Sequence, residues 1–321
     1  MPLDGLKQNR FLVLGRAGMD LYADPPGTRT EEARRFTSEL GGSAANIAVA
    51  IVRLGGEASL LTAVSDDSVG RFVVNELKRY GVGTEHICAV GGEARNSLAV
   101  VETRAVDTQS VIYRNGAADF EIAAEAVRAV DFSKFGALVF TGTCLAKEPS
   151  RSALSQAMKL ARNQGLTVIL DVDHRPYSWS SAAEAAAAYN RAAARCDIVI
   201  GNDDEFGVMA GTGGDGRELA RSLAGRAECV IYKMGAQGSV TFTRREAFET
   251  GIFPVRALKP TGAGDAFMGG FVSSLAAGLS LRDSVRRGSA AAAIVVTRVG
   301  CAPAMPTAAE LDQFIATHAP L

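Results

Sequence analysis

The chain has 321 residues, 47% of them hydrophobic and 21% charged, with a formal net charge of −1. That length suits one large α/β domain or two smaller ones, and the near-neutral balance offers no basic surface for nucleic acid or an anionic membrane. The longest apolar runs, such as Ala44 to Val52, are too short to span a bilayer, and Met1 to Arg10 has no apolar signal core, so a cytoplasmic protein is expected. Cys88, Cys144, Cys196, Cys229 and Cys301 stand without CxxC spacing, which points to buried reduced thiols rather than disulfides or metal ligands.

Arg10 to Leu14 reads as a short buried strand closed by Gly15. The polar, glycine-rich cluster Gly15-Arg16-Ala17-Gly18-Met19-Asp20-Leu21-Tyr22 follows, where an open α/β sheet places ligands; Asp20 also fits a plain turn residue. Gly41-Gly42-Ser43 then leads into a helix with Ser43 as its expected cap, Ile47, Ile51 and Leu54 as its buried face, and Gly55-Gly56 as its stop. Asn46, one turn in, can donate and accept, or can simply be a polar surface residue. Ser59 to Val64 reads as a strand and Asp67 to Tyr80 as an amphipathic helix stopped by Gly81. Ser97 to Thr103 and Ser110 to Tyr113 have strand composition and flank a hairpin loop, Arg104 to Gln109, so the βα rhythm breaks there.

The rhythm resumes with a strand at Ala137 to Thr141, a helix at Pro149 to Gln164 and a strand at Leu166 to Val172. The last of these ends in Asp171-Val172-Asp173-His174-Arg175-Pro176-Tyr177-Ser178-Trp179, a crowd of charged and aromatic residues at a strand end. His174 and Trp179 fit packing as well as ligand contact, whereas the Arg175 guanidinium suits a carboxylate or phosphate. After an alanine-rich helix at Ser181 to Ala194 and a strand at Asp197 to Ile200, the acids of Gly201-Asn202-Asp203-Asp204-Glu205 mark a helix start. Cys229 to Tyr232 is a strand, and Lys233-Met234-Gly235-Ala236-Gln237-Gly238 a glycine turn.

Lys259-Pro260-Thr261-Gly262-Ala263-Gly264-Asp265-Ala266-Phe267 is a loop feeding a helix whose apolar spacing begins at Asp265. Free N–H groups from Ala263 to Ala266 would line a glycine-walled concavity suited to phosphate. Asp265 in that concavity makes sense as a base for a hydroxyl attacking the phosphate, and is otherwise an ordinary cap. A second long helix runs from Arg282 to Arg298 and ends at Gly300.

The Gly262-Ala263-Gly264-Asp265 stretch resembles the C-terminal signature of the ribokinase-like (PfkB) family of sugar kinases, and Gly41-Gly42-x-x-x-Asn46 resembles its N-terminal signature. The resemblance covers nearly the whole chain. It implies an α/β fold, a three-layer α/β/α sandwich with a mostly parallel central sheet, spanning residues 1–321 as one domain with a β-sheet lid at about 19–39 and 96–118. It implies ATP and Mg²⁺ as cofactors, a sugar as partner, and a homodimer through the lid. By it, Asp265 is the catalytic base, and Gly262, Ala263 and Gly264 form the anion hole. Asp20, Gly41, Gly42 and Asn46 bind the sugar. Asn202 and Glu205 position the magnesium and phosphate, Glu205 through water. Gly235, Gly238 and Lys233 lie against the nucleotide, and the 282–298 helix walls the adenine.

Three phrases, 15–22, 171–179 and 258–265, resemble family members that phosphorylate the 6-hydroxyl of 5-dehydro-2-deoxy-D-gluconate in inositol breakdown; 2-keto-3-deoxygluconate and then a neutral hexose or pentose are the alternatives. A sugar acid needs a cation for its carboxylate, and Arg175, then Arg114, then Arg16 are the candidates. Lys259 stands where many members carry an Asp that helps bind an activating monovalent cation, so weak or absent potassium activation is expected. A non-catalytic sugar-acid sensor is the rival from another class, disfavoured because a sensor needs no Asp265. A dinucleotide oxidoreductase lacks its Gly-x-Gly-x-x-Gly after the first strand.

Overall fold

The inner strands of the central sheet are short apolar runs, as strands covered on both faces must be. The computed structural model describes residue 6 and residues 8–321. The rest of the 1–10 stretch, read above for a signal core, lies outside the described residues. The elements in chain order are β1 (Arg10–Leu14), β2 (Gly18–Asp24), β3 (Arg35–Gly41), α1 (Ser43–Arg53), β4 (Glu57–Ser65), α2 (Ser68–Arg79), β5 (Ile87–Val90), β6 (Ser97–Val101) and β7 (Ser110–Tyr113). There follow α3 (Ala124–Arg128), β8 (Ala137–Thr141), α4 (Ser150–Asn163), β9 (Thr167–Asp171), α5 (Ala182–Ala193), β10 (Ile198–Asn202), α6 (Asp203–Ala210) and α7 (Gly216–Leu223). The chain closes with β11 (Cys229–Lys233), β12 (Ser239–Thr243), β13 (Ala247–Thr250), α8 (Ala263–Ala276), α9 (Leu281–Val296) and α10 (Ala308–Thr317).

Nine strands form the central sheet in the order β13-β12-β11-β10-β9-β8-β1-β4-β5. The run from β11 to β5 is parallel, and β12 and β13 are antiparallel additions. The pleat sends alternate residues to opposite faces. Phe11 and Val13 join α1, α8 and α9 in one core, while Leu12 and Leu14 join α4 and α5 in the other. The result is three α/β/α layers. A Cβ at Gly270 would lie 3.0 Å from Ala291 Cβ and one at Gly288 would lie 2.9 Å from the Phe267 carbonyl, so these glycines let α8 and α9 approach closely.

A separate four-stranded sheet has the order β3-β2-β6-β7. The β2–β3 and β6–β7 pairs are antiparallel, and β2 runs parallel to β6. Its strands reach Gly18 and Gly41, slightly beyond the 19–39 segment expected. The Gly41–Gly42 turn therefore joins this sheet directly to α1.

Four local expectations are corrected. Gly42, not Ser43, caps α1, and Ser43 is its first helical residue. The helix expected from Asp265 starts at Ala263, and the Ala266 N–H is not free, because it donates to the Gly262 carbonyl at 3.0 Å. The expected 282–298 helix runs instead over Leu281–Val296. Of the five cysteines, all free, Cys88 is exposed rather than buried. No helix among the described residues is long and apolar enough to cross a membrane.

Candidate active site

Gly262 adopts φ +84°, the left-handed region, and caps α8. A Cβ there would also meet Cys301 Sγ at 3.0 Å and Val295 Cγ1 at 3.2 Å, so the turn is built for glycine. Beyond it, the amides of Ala263, Gly264 and Asp265 fill the first helical turn, whose N–H groups have no partner within a helix. Two cations stand close. Lys233 Nζ lies 3.5 Å from the place a Cβ on Gly264 would take. Lys259 is fully buried and its Nζ donates to the Thr261 carbonyl at 2.5 Å.

Asp265 is half-buried at this turn. Burial and the nearby Asp173 charge push its carboxyl up to about 7, against the opposing pull of the Asn46 hydrogen bond, Arg175 and Arg16. Asn46 Nδ2 donates to Asp265 Oδ2 at 2.8 Å, while Asn46 Oδ1 is buried without a partner. Ser43 escaped its capping role because its Oγ donates to Asp173 Oδ2 at 2.5 Å. Asp173 takes a left-handed φ of 40°, and its Oδ1 pairs with Arg175 Nη2 at 2.6 Å. Burial works to raise Asp173, but Arg175 and the Ser43 hydroxyl outweigh it and hold the carboxylate ionised.

Asp20 is buried on β2, and burial raises its carboxyl despite Arg16, Tyr22 and Lys259. The Tyr22 hydroxyl lies 3.2 Å from both Asp20 Oδ2 and Cys301 Sγ, linking the small sheet to the loop after α9, whose Cys301 sits against Gly262. A Cβ at Gly41 would overlap the Asp20 carboxylate, and one at Gly42, φ +98°, would meet the Arg16 carbonyl at 2.5 Å. Gly41 therefore lets the backbone approach the Asp20 acid, and Gly42 lets it approach the backbone at Arg16 and Ala17. Arg16 is buried, and Nη1 donates to Ser97 Oγ at 3.3 Å. Arg114 is also buried, but it is ion-paired to Asp119, donates to Ser178 Oγ and the Thr143 carbonyl, and lies 4.1 Å over the Phe120 ring.

Asn202 caps α6. Its side chain accepts from the Glu205 N–H at 2.8 Å, and Glu205 Oε2 accepts from the Asn202 N–H at 2.7 Å, a reciprocal capping box. Glu205 Oε1 accepts from the His174 N–H at 3.1 Å, so this acid fastens the loop after β9 to the turn after β10. His174 and Trp179 take the packing alternative: Trp179 Nε1 donates to the Tyr189 hydroxyl at 3.1 Å, which lies 3.1 Å from His174 Nδ1. The site-residue expectations had passed over Asp171. At the end of β9 its carboxyl is raised, first by burial and then by Glu205, Asp173 and Asp265, with Lys233 opposing. The crowd of charged residues that opens with Asp171 at an apolar strand's end was the available signal. Gly235 and Gly238 take φ 55° and 81° around a tight turn beside Lys233.

The fold thus gathers Asp20, Gly41, Gly42, Asn46, Arg16, Arg175 and Lys259 around Asp265, with Asp171, Lys233, Asn202 and Glu205 along the adjoining strand ends. Arg114 is set apart by its own counter-ion.

The profile of the pfkB family carbohydrate kinases matches residues 8–308. The 5-dehydro-2-deoxygluconokinase of Photobacterium profundum is 40% identical over 99% of this chain and 96% of that protein. That of Geobacillus kaustophilus is 36% identical over 99% and 97%. Among solved structures, fructokinase with bound ATP from Xylella fastidiosa superposes with a TM-score of 0.85 at 25% identity, covering 96% of this chain and 98% of that one. A fructokinase double mutant from Vibrio cholerae, with fructose, ADP and potassium ion bound, gives 0.84 at 26% identity over 97% and 99%. With both signatures folded around one half-buried aspartate and the match running almost from end to end, the chain belongs to the pfkB family of carbohydrate kinases.

Proposed function

We propose that the chain transfers the γ-phosphoryl group of ATP to the primary 6-hydroxyl of 5-dehydro-2-deoxy-D-gluconate. The observation that carries the mechanism is the Asp265 carboxyl, poised near neutrality beside three helix-terminal amides. A base so tuned is ionised often enough to accept the hydroxyl proton and basic enough to take it. The proton passes to Asp265 as the oxygen attacks phosphorus in line, and the amides of Ala263, Gly264 and Asp265, with Lys233, stabilise the charge on the moving group. The relatives at 36–40% identity support the choice of acceptor.

Asp20, Asn46 and the backbone at Gly41–Gly42 hold the sugar's hydroxyls. The small sheet acts as a lid, excluding the water that would otherwise hydrolyse ATP. The turn at Gly235–Gly238 and helix α9 receive the nucleotide. Among the described residues no three or more His, Cys, Asp or Glu side chains form a metal cage. Oxygen donors at Asp171 and Glu205 fit an ion that keeps its waters, as Mg²⁺ does. When bound, Mg²⁺ neutralises charge on the ATP phosphates. Phe36, Val111 and Tyr113 leave apolar surface exposed on the small sheet, and a second copy of this chain covers it in a homodimer. Sedimentation should give a dimer that Val111→Lys converts to monomer; a wild-type monomer contradicts this part.

The test is ADP release with ATP, Mg²⁺ and a panel of sugar acids and neutral sugars. Turnover highest on 5-dehydro-2-deoxygluconate supports the reading. Turnover only on a neutral hexose or pentose keeps the kinase and discards the acid. Sugar binding without turnover on any of them favours a sensor.

A further inference from the structure

Only two arginines are buried among the described residues, Arg16 and Arg114, and they differ in one respect. Arg114 has its counter-ion in Asp119 and further partners in Ser178 and Thr143. Arg175, partly exposed, has its counter-ion in Asp173. Arg16 has neither. Its hydrogen-bond partner is the neutral Ser97 hydroxyl, at a long 3.3 Å, and it forms no ion pair among the described residues. A guanidinium carries five N–H donors. None of the Arg16 nitrogens is among the buried side-chain atoms left without a partner, so the N–H groups it does not spend on Ser97 are open to a ligand.

The place of Arg16 says what that is. It follows Gly15 at the end of β1, and its carbonyl accepts from the Ala45 N–H of α1 at 3.3 Å. Ser97, which it touches, opens β6 of the small sheet. Arg16 acts electrostatically on Asp20, Asp173, Asp265 and the half-exposed Tyr177, so its charge looks into the space the sugar would fill. Asp20 Oδ2 accepts from the Tyr22 hydroxyl and its Oδ1 is buried without a partner; Arg16 pulls on this carboxyl but forms no ion pair with it among the described residues.

We infer that Arg16 is the specificity-determining residue that binds the substrate's carboxylate, its guanidinium being the one buried among the described residues that has no ion pair. Arg175 and Arg114 then have other work: Arg175 keeps Asp173 ionised, and Arg114 braces Asp119 and the 143–178 region. The inference rests on the sugar-acid reading above and names the group within it that selects the acid. It also reverses the ranking that sequence alone suggested, since charge type is legible in sequence and counter-ions are not.

The experiment compares kcat/KM for 5-dehydro-2-deoxygluconate with that for the same carbon chain reduced to an alcohol at C1, in wild type, Arg16→Gln and Arg16→Lys. Wild type should prefer the acid. Arg16→Gln should cut the acid-over-neutral ratio roughly 100-fold, through KM for the acid and not through kcat. Arg16→Lys keeps the charge without the fork and should recover part of the ratio. Arg16→Lys also serves if Arg16→Gln does not fold, since a ratio equal to wild type in it contradicts the need for a fork. Equal loss on both substrates in Arg16→Gln overturns the inference while leaving the sugar-acid reading intact. A wild type that prefers the neutral chain overturns that reading, and the inference with it.

Discussion

Asn46 Nδ2 donates to Asp265 Oδ2 at 2.8 Å across 219 residues of sequence, tying the start of α1 to the start of α8. A hydrogen bond to a carboxylate favours its charged form, so Asn46 holds the Asp265 carboxyl lower than burial alone would. Replacing Asn46 with Ala should move the midpoint of the pH dependence of kcat/KM upward by about one unit, the worth of one charge-assisted hydrogen bond. An unmoved midpoint would show that the contact does not tune the base.

Asp265 also makes stability depend on pH. Its carboxyl ionises near 3.8 in the unfolded chain and at about 7 in the folded one. Below the lower value both states keep the proton and the group is neutral to folding. Between the two values the unfolded chain ionises first, so stability falls as pH rises, and above the upper value the loss is complete. Asp265→Asn removes that penalty. At about pH 8 its Tm should exceed wild type by several degrees, at roughly 2–4 °C per kcal/mol, and the gap should close near pH 4. A gap that does not change with pH would contradict the raised-carboxyl account.

The turn before α8 has no room for a side chain. Gly262→Ala puts a Cβ on a left-handed residue and against Cys301 Sγ at 3.0 Å. The three amides then turn away from the phosphoryl position, and kcat should fall about 100-fold while the sugar KM changes little. Loss confined to KM would place the turn's role in binding instead.

Much of this architecture was legible locally. β7, β8 and the start of β11 lie where apolar runs placed them, and Asp67 caps α2 as a helix-start signal predicts, accepting from the N–H groups of Val69 and Gly70. The two glycine signatures marked both halves of the site. What stayed hidden depends on residues far apart in sequence. Ser43 looked like a cap because capping is local, yet its hydroxyl is claimed by Asp173, 130 residues away. The acids at 203–205 mark a helix start, but nothing in that local pattern shows that Glu205 accepts from the His174 backbone. The parallel pairing of β2 with β6 leaves no mark in either strand's own pattern.

Lys259 occupies the buried space beside this turn, its ammonium on the Thr261 carbonyl and its charge felt by Cys301, Asp265 and Asp20. A resident cation there leaves no call for a dissolved one. Potassium at constant ionic strength should change turnover by less than about twofold, and Lys259→Met should lower kcat about tenfold or more. Strong potassium activation of the wild type would contradict this role for Lys259.

The most direct test of the central claim is the rate of phosphoryl transfer from ATP to 5-dehydro-2-deoxygluconate from roughly pH 5 to 9, in wild type and in Asp265→Asn. With Asp265 as the base, wild-type kcat/KM rises through a midpoint near 7 and then levels, and Asp265→Asn loses at least about a thousandfold with no rising limb. If Asp265→Asn keeps more than about a tenth of the activity with the same midpoint, the proton goes elsewhere and the account is wrong.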